Sequence, residues 1–131
     1  MFAKKKQPPI RSLIAQGTHI QGSIHFVDGL RIDGQVTGDV LASGEGGSIL
    51  VISETGGVTG RVQADHVISN GQIVGPVTAT TLLELQPKAA IRGDVHYKAL
   101  ELHLGAVIAG QLIPQVRDDQ KPTLKLAANN A

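Results

Sequence analysis

The sequence predicts an all-β fold: a single-domain parallel β-helix of about six coils with a disordered tail at each end. Two observations carry that prediction. A glycine-centred phrase recurs along the 131-residue chain, and short alternating apolar runs lie between clusters of Gly, Asn, Pro and Asp. No stretch between residues 12 and 116 has the 3.6-residue periodicity of a helix.

The phrase is [Ile/Val]-x-Gly-x-[Val/Ile/Leu]. It occurs as Ile20-Gln-Gly22-Ser-Ile24, Ile32-Asp-Gly34-Gln-Val36, Val36-Thr-Gly38-Asp-Val40 and Val58-Thr-Gly60-Arg-Val62. It returns as Ile73-Val-Gly75-Pro-Val77, Ile91-Arg-Gly93-Asp-Val95 and Ile108-Ala-Gly110-Gln-Leu112. From Gly60 onward the glycines are 15, 18 and 17 residues apart. A unit this small cannot bury its own apolar side, so neighbouring units must stack. About six coils at ~4.8 Å per rung give a rod roughly 30 Å long. The glycines Gly22, Gly34, Gly38, Gly60, Gly75, Gly93 and Gly110 are expected at corners, where a side chain would obstruct the turn or the adjacent coil.

Gly38 and Gly60 are 22 residues apart, which reads as an insertion in one coil. Ala42 matches Ala64, and Val51-Ile52-Ser53 matches Val67-Ile68-Ser69, placing a surplus of about four residues in Ser43-Gly-Glu-Gly-Gly47. The core expected from this alignment is Ile32, Val36, Val40, Val51, Val62, Val67, Val77, Leu85, Ile91, Val95, Leu102 and Ile108.

Composition agrees with thin, layered packing. Hydrophobic residues make up 41% of the chain but aromatics only 2%, so aliphatic side chains must fill the interior. There is no cysteine, which excludes disulfides, thiolate metal sites and a cysteine nucleophile. The basic start lacks the apolar stretch of a signal peptide, which points to the cytoplasm.

The formal charge of +1 hides an asymmetry. Residues 1–11 carry Lys4, Lys5, Lys6 and Arg11 and no acid, whereas residues 12–116 hold five Lys/Arg against nine Asp/Glu. An acidic body argues against a nucleic-acid-binding core and directs attention to the basic tail. Residues 1–11 and 117–131 both read as flexible; after Pro114 no strand alternation is expected.

Little in the chain points to catalysis, and no cofactor is expected. His19, His25, His66, His96 and His103 stand apart in sequence, without a His-x-x-x-His pair or a neighbouring carboxylate pattern. No Gly-x-Ser-x-Gly elbow or phosphate-binding loop is present. The rival from enzymology is a hexapeptide-repeat acyltransferase, whose aliphatic residue directly precedes glycine. Here Gln21, Asp33, Thr37, Thr59, Arg92 and Ala109 hold that place, and only Val74 fits. A membrane adaptor that does not polymerise is the other alternative.

The run from Ser12 to Pro114 resembles the bactofilins, bacterial cytoskeletal proteins. The resemblance rests on SLIAQGTHIQGSI, LRIDGQVTGDV, VISETGGVTGRVQADHVISNGQIVGPVTA, LELQPKAAIRGDV and LHLGAVIAGQL, in that order. It implies a right-handed β-helix over residues 12–116 that polymerises end to end into nucleotide-independent filaments. It further implies a non-enzymatic scaffold at the inner face of the cytoplasmic membrane, organising cell-wall, shape or polarity factors as client proteins.

An uncapped solenoid has a physical reason to polymerise, because each end exposes unpaired backbone and an apolar cross-section. The expected interface is Leu13, Ile14 and Ile20 at one end and Val107, Ile108 and Leu112 at the other. The family often carries an aromatic residue in its last coil; the matching place here is Ile108. Met1, Phe2, Lys4, Lys5 and Lys6 resemble the family's membrane-targeting peptide, with anionic lipids as the expected partner. Many tails on one filament would act together.

Overall fold

A computed structural model describes residues 9–44 and 46–115, together with the backbone of residues 123–127. The chain winds as a β-solenoid with three faces, and every strand pair in it is parallel. Strand β1 (Ile10–Ile14) precedes the first full coil, made of β2 (His19–Gln21), β3 (Ile24–Phe26) and β4 (Gly29–Ile32). The second coil is β5 (Gln35–Thr37), β6 (Val40–Ala42) and β7 (Ile49–Ile52). In the third and fourth, β8 (Gly57–Thr59) leads to β9 (Val62–Ser69), and β10 (Gln72–Val74) to β11 (Val77–Leu85). Both β9 and β11 run across two faces. The fifth coil is β12 (Ala90–Arg92), β13 (Val95–Tyr97) and β14 (Ala99–His103). The sixth contains β15 (Val107–Ala109) and β16 (Leu112–Pro114), and β17 (Thr123–Ala127) pairs with β14.

Register turns the sequence repeat into columns of side chains. On the first face Ile20, Val36, Val58, Ile73, Ile91 and Ile108 stack. On the second the column is Ile24, Val40, Val62, Val77, Val95 and Leu112. On the third, Leu30, Leu50, Val67, Leu83 and Leu100 run beside Ile14, Ile32, Ile52, Ser69, Leu85 and Leu102. The middle members of each column are almost wholly buried. Each such aliphatic side chain contributes ~1.5–3 kcal/mol by leaving water, and together they replace the missing aromatic core. Ser69 is the polar member; its hydroxyl accepts a hydrogen bond from the Gly71 N–H at 3.1 Å, which allows its burial.

Four sequence expectations need correction. Val51 is only half-buried, while Leu50 and Ile52 point inward. Within the unbroken apolar run Ile49–Ile52 the period-two signal is invisible, and pairing decides it: Leu50 aligns with Val67 and Ile52 with Ser69. The insertion is therefore five residues rather than four, since the step falls from 22 at Val40–Val62 to 17 at Ile49–His66. After Pro114 the chain does form one further strand, β17, whose Leu-Lys-Leu alternation is too short to register as a pattern. Leu102 and Ile108 pack against the core but stay half-buried, being near the end of the rod.

Gly34 belongs to a different corner from the other six glycines. Gly22, Gly38, Gly60, Gly75, Gly93 and Gly110 stack between the first and second faces, whereas Gly34 stacks with Gly56 and Gly71 between the third and first. The phrases sharing Val36 thus straddle one short strand, β5, and describe two successive corners of a single coil.

Candidate assembly ends

Both corner stacks are held by backbone. The N–H groups of Gly22, Gly38, Gly60, Gly75 and Gly93 donate to the carbonyls of Thr37, Thr59, Val74, Arg92 and Ala109 in the next coil, at 2.8–3.0 Å. Among the described residues no further coil follows Gly110. Within them the ladder runs from Gly22 to Ala109, and its two limits mark the ends of the described rod.

At the first end β1 covers the third face, pairing with β4. The edges of β2 and β3 stay open among the described residues, each having a single partner in the second coil. Between them lies a recess of about 420 Å³ whose apolar lining includes Ile14, Ile20, Ile24, Phe26 and Leu30. Arg11 and Asp28 pair at 3.3 Å beside it. At the other end β17 covers β14, while β15 and β16 again have one partner each among the described residues.

The columns show what these edges expose. Val95 is fully buried, yet Leu112, next in its column, is 45% exposed; Ile91 is buried and Ile108 only partly. Ile20 and Ile24 are likewise half-buried where Val36 and Val40 are sealed. Among the described residues these end positions lack the neighbour that covers the inner ones, while the register and the aliphatic character continue along the column.

The structure separates the six expected interface residues. Ile14, Ile20, Ile108 and Leu112 occupy inward columns that end at the open edges. Leu13 aligns with the exposed Arg31 and Val107 with Ala90, which puts both on the outer, lateral surface; Leu13 is 58% exposed. Sequence reasoning missed Ile24 and Phe26, although Ile24 closes the first copy of the phrase. The expected membrane-targeting residues Met1, Phe2, Lys4, Lys5 and Lys6 lie outside the described residues.

The histidines do not gather. The His19 ring lies 2.9 Å from the Thr37 hydroxyl, and His25 and His96 sit on β3 and β13. His103 lies within 3.4 Å of two carboxylates, those of Glu84 and Glu101, which the spacing in sequence concealed. Among the described residues no helix is long and apolar enough to cross a membrane.

A parallel β-solenoid whose apolar columns are, among the described residues, partly open at both ends defines the class of protein. Residues 12–113 match the family model described as "Bactofilin: Polymer-forming cytoskeletal". The chain belongs to the bactofilin family, a family of polymer-forming cytoskeletal proteins rather than of enzymes. No curated protein and no solved structure matches it.

Proposed function

We propose that this chain is a bacterial cytoskeletal scaffold. Its subunits stack end to end into nucleotide-independent filaments at the inner face of the cytoplasmic membrane, where they organise cell-wall, shape or polarity factors. The observation that carries this reading is the loss of burial at the column ends, above all at Leu112 beside the sealed Val95. Stacking a second copy there covers apolar side chains and pairs free strand edges in one step. Membership in a polymer-forming family supports self-association.

For the membrane, the support is in the sequence: an apolar tip, Met1-Phe2, followed by Lys4, Lys5 and Lys6. Each lysine near an anionic surface contributes ~1 kcal/mol. A single tail of this kind binds weakly, and a filament presents many.

Negative-stain microscopy of the purified chain without nucleotide tests the central claim. Filaments are expected. Discrete trimers would instead favour an acyltransferase, and monomers a non-polymerising adaptor.

A further inference from the structure

We propose that Glu84, Glu101 and His103 form a binding site for a zinc-class divalent cation. The sheet itself assembles the site. Glu84 on β11 and Glu101 on β14 are register partners on adjacent rungs. Their neighbours Leu83, Leu85, Leu100 and Leu102 face the interior, so both carboxylates stand on the outer face, side by side. Like charges directly opposite one another destabilise a sheet unless something positive lies between them. His103, two residues beyond Glu101, shares its side of the strand.

The Nε2 atom of His103 lies 3.4 Å from Glu84 Oε2 and 3.3 Å from Glu101 Oε2. It is shut off from solvent and makes no hydrogen bond among the described residues. A ring nitrogen therefore points between two carboxylate oxygens without being bonded to either. Zinc bound to nitrogen and oxygen at about 2.0–2.2 Å in tetrahedral geometry separates its ligand atoms by roughly 3.3–3.5 Å. The two contacts match that edge length. The three ligand atoms all lie within 4.8 Å of one another. The three side chains are 22–29% exposed, so the cluster lies at the outer surface of the coil although the ring nitrogen itself is covered.

Imidazole plus carboxylate suits zinc, cobalt or manganese better than a soft cuprous ion. Gln86, whose side-chain amide donates to Glu84 at 3.4 Å, helps to orient that carboxylate. On the far side of β14, Lys125 takes the register position beside Glu101. The ligands come from the fourth and fifth coils, so a bound cation would clamp two rungs close to the C-terminal end.

The test is calorimetric titration of the full metal-free chain with zinc chloride at neutral pH, with cobalt(II) as a spectroscopic probe. One equivalent of zinc should bind, and cobalt should give the intense visible absorption of a tetrahedral site. His103→Gln and Glu84→Gln should each weaken zinc binding at least about ten-fold, whereas His96→Gln should not change it. Thermal melts of the metal-free variants separate loss of a ligand from loss of the fold. Absence of binding up to about 1 mM zinc would overturn the proposal. Equal binding by His103→Gln would overturn it as well, by placing the metal on other surface groups.

Discussion

The carbonyl oxygen of Gly38 occupies the space where a side chain on Gly60 would begin: a Cβ there would lie under 3.0 Å from it, and Gly60 itself has φ +150°. The same relation links Gly75 to Gly60 and Gly93 to Gly75. Gly22 shares the positive φ but has nothing within 4 Å, and among the described residues no coil precedes it at that corner. Gly60→Ala should thus cost ~3 kcal/mol or more, combining backbone strain with a clash against an immovable carbonyl. Gly22→Ala should cost only the conformational part, ~1 kcal/mol. Urea unfolding of both variants measures the difference, and equal costs would show that the neighbouring coil is not the cause.

Charges at the open edges should block stacking while sparing the subunit. Ile20→Glu and Leu112→Glu place a carboxylate in columns already partly open to water. Each variant should remain folded by circular dichroism yet fail to sediment as polymer. The same change at the sealed Ile91 should unfold the chain, as a buried unpaired charge does. Polymer formed by both end variants would remove these columns from the interface.

The inward alternation of β7 is open to a direct comparison. Leu50→Ala should lose ~2–5 kcal/mol, since Leu50 is fully buried between Leu30 and Val67. Val51→Ser should stay within about 1 kcal/mol, because its side chain faces outward. Chemical denaturation ranks the two, and the reverse order would shift β7 by one residue.

Asp65 makes the insertion pH-sensitive. Burial pushes its carboxyl up, but hydrogen bonds from the Thr80 hydroxyl and the Ser48 and Gly47 backbone, with the nearby His66, hold it below the usual carboxylate range. A folded-state value below the unfolded one, ~3.9, gives stability that is present above that pH and fades as pH falls through the lowered value. Asp65→Asn should flatten the acid limb of the stability curve and cost ~1 kcal/mol at neutral pH. Acid titration followed by circular dichroism reads both effects.

The proposed membrane-targeting peptide should act independently of polymer formation. Replacing Phe2 by Ala, or Lys4, Lys5 and Lys6 together by Gln, should release the chain from anionic vesicles in flotation assays and leave polymers intact. Three lysines at ~1 kcal/mol each imply a drop of roughly two orders of magnitude or more in affinity. Unchanged flotation would end the case for this peptide.

Much of the fold was legible because the strongest constraint, backbone packed on backbone at the Gly38 corner, admits one residue type and so marks every coil. Where side-chain identity was degenerate, the sequence was silent. Ile49–Ile52 offered four apolar residues in a row, and only pairing with β9 chose Leu50 and Ile52 as the inward pair. The interface suffered the same ambiguity, with Leu13 and Val107 as apolar as Ile14 and Ile108 although they face sideways. Glu84 and Glu101 meet because two Leu-Glu-Leu phrases lie 17 residues apart, a clue visible only once that interval is taken as one turn of the coil.

The five-residue insertion between β6 and β7 disturbs nothing around it: Val40 still pairs with Val62 and Ile49 with His66. Asp65 and Ser48 fasten its end to the next coil through reciprocal hydrogen bonds of 3.1 and 2.9 Å. Extra chain therefore leaves the axis sideways and adds nothing to the repeat along it. A molecule organised in this way can acquire a handle of almost any length at a corner while its thickness per layer stays fixed. Subunits with different decorations could then share one lattice, and the loop at Ser43–Ser48 is where this chain carries its own.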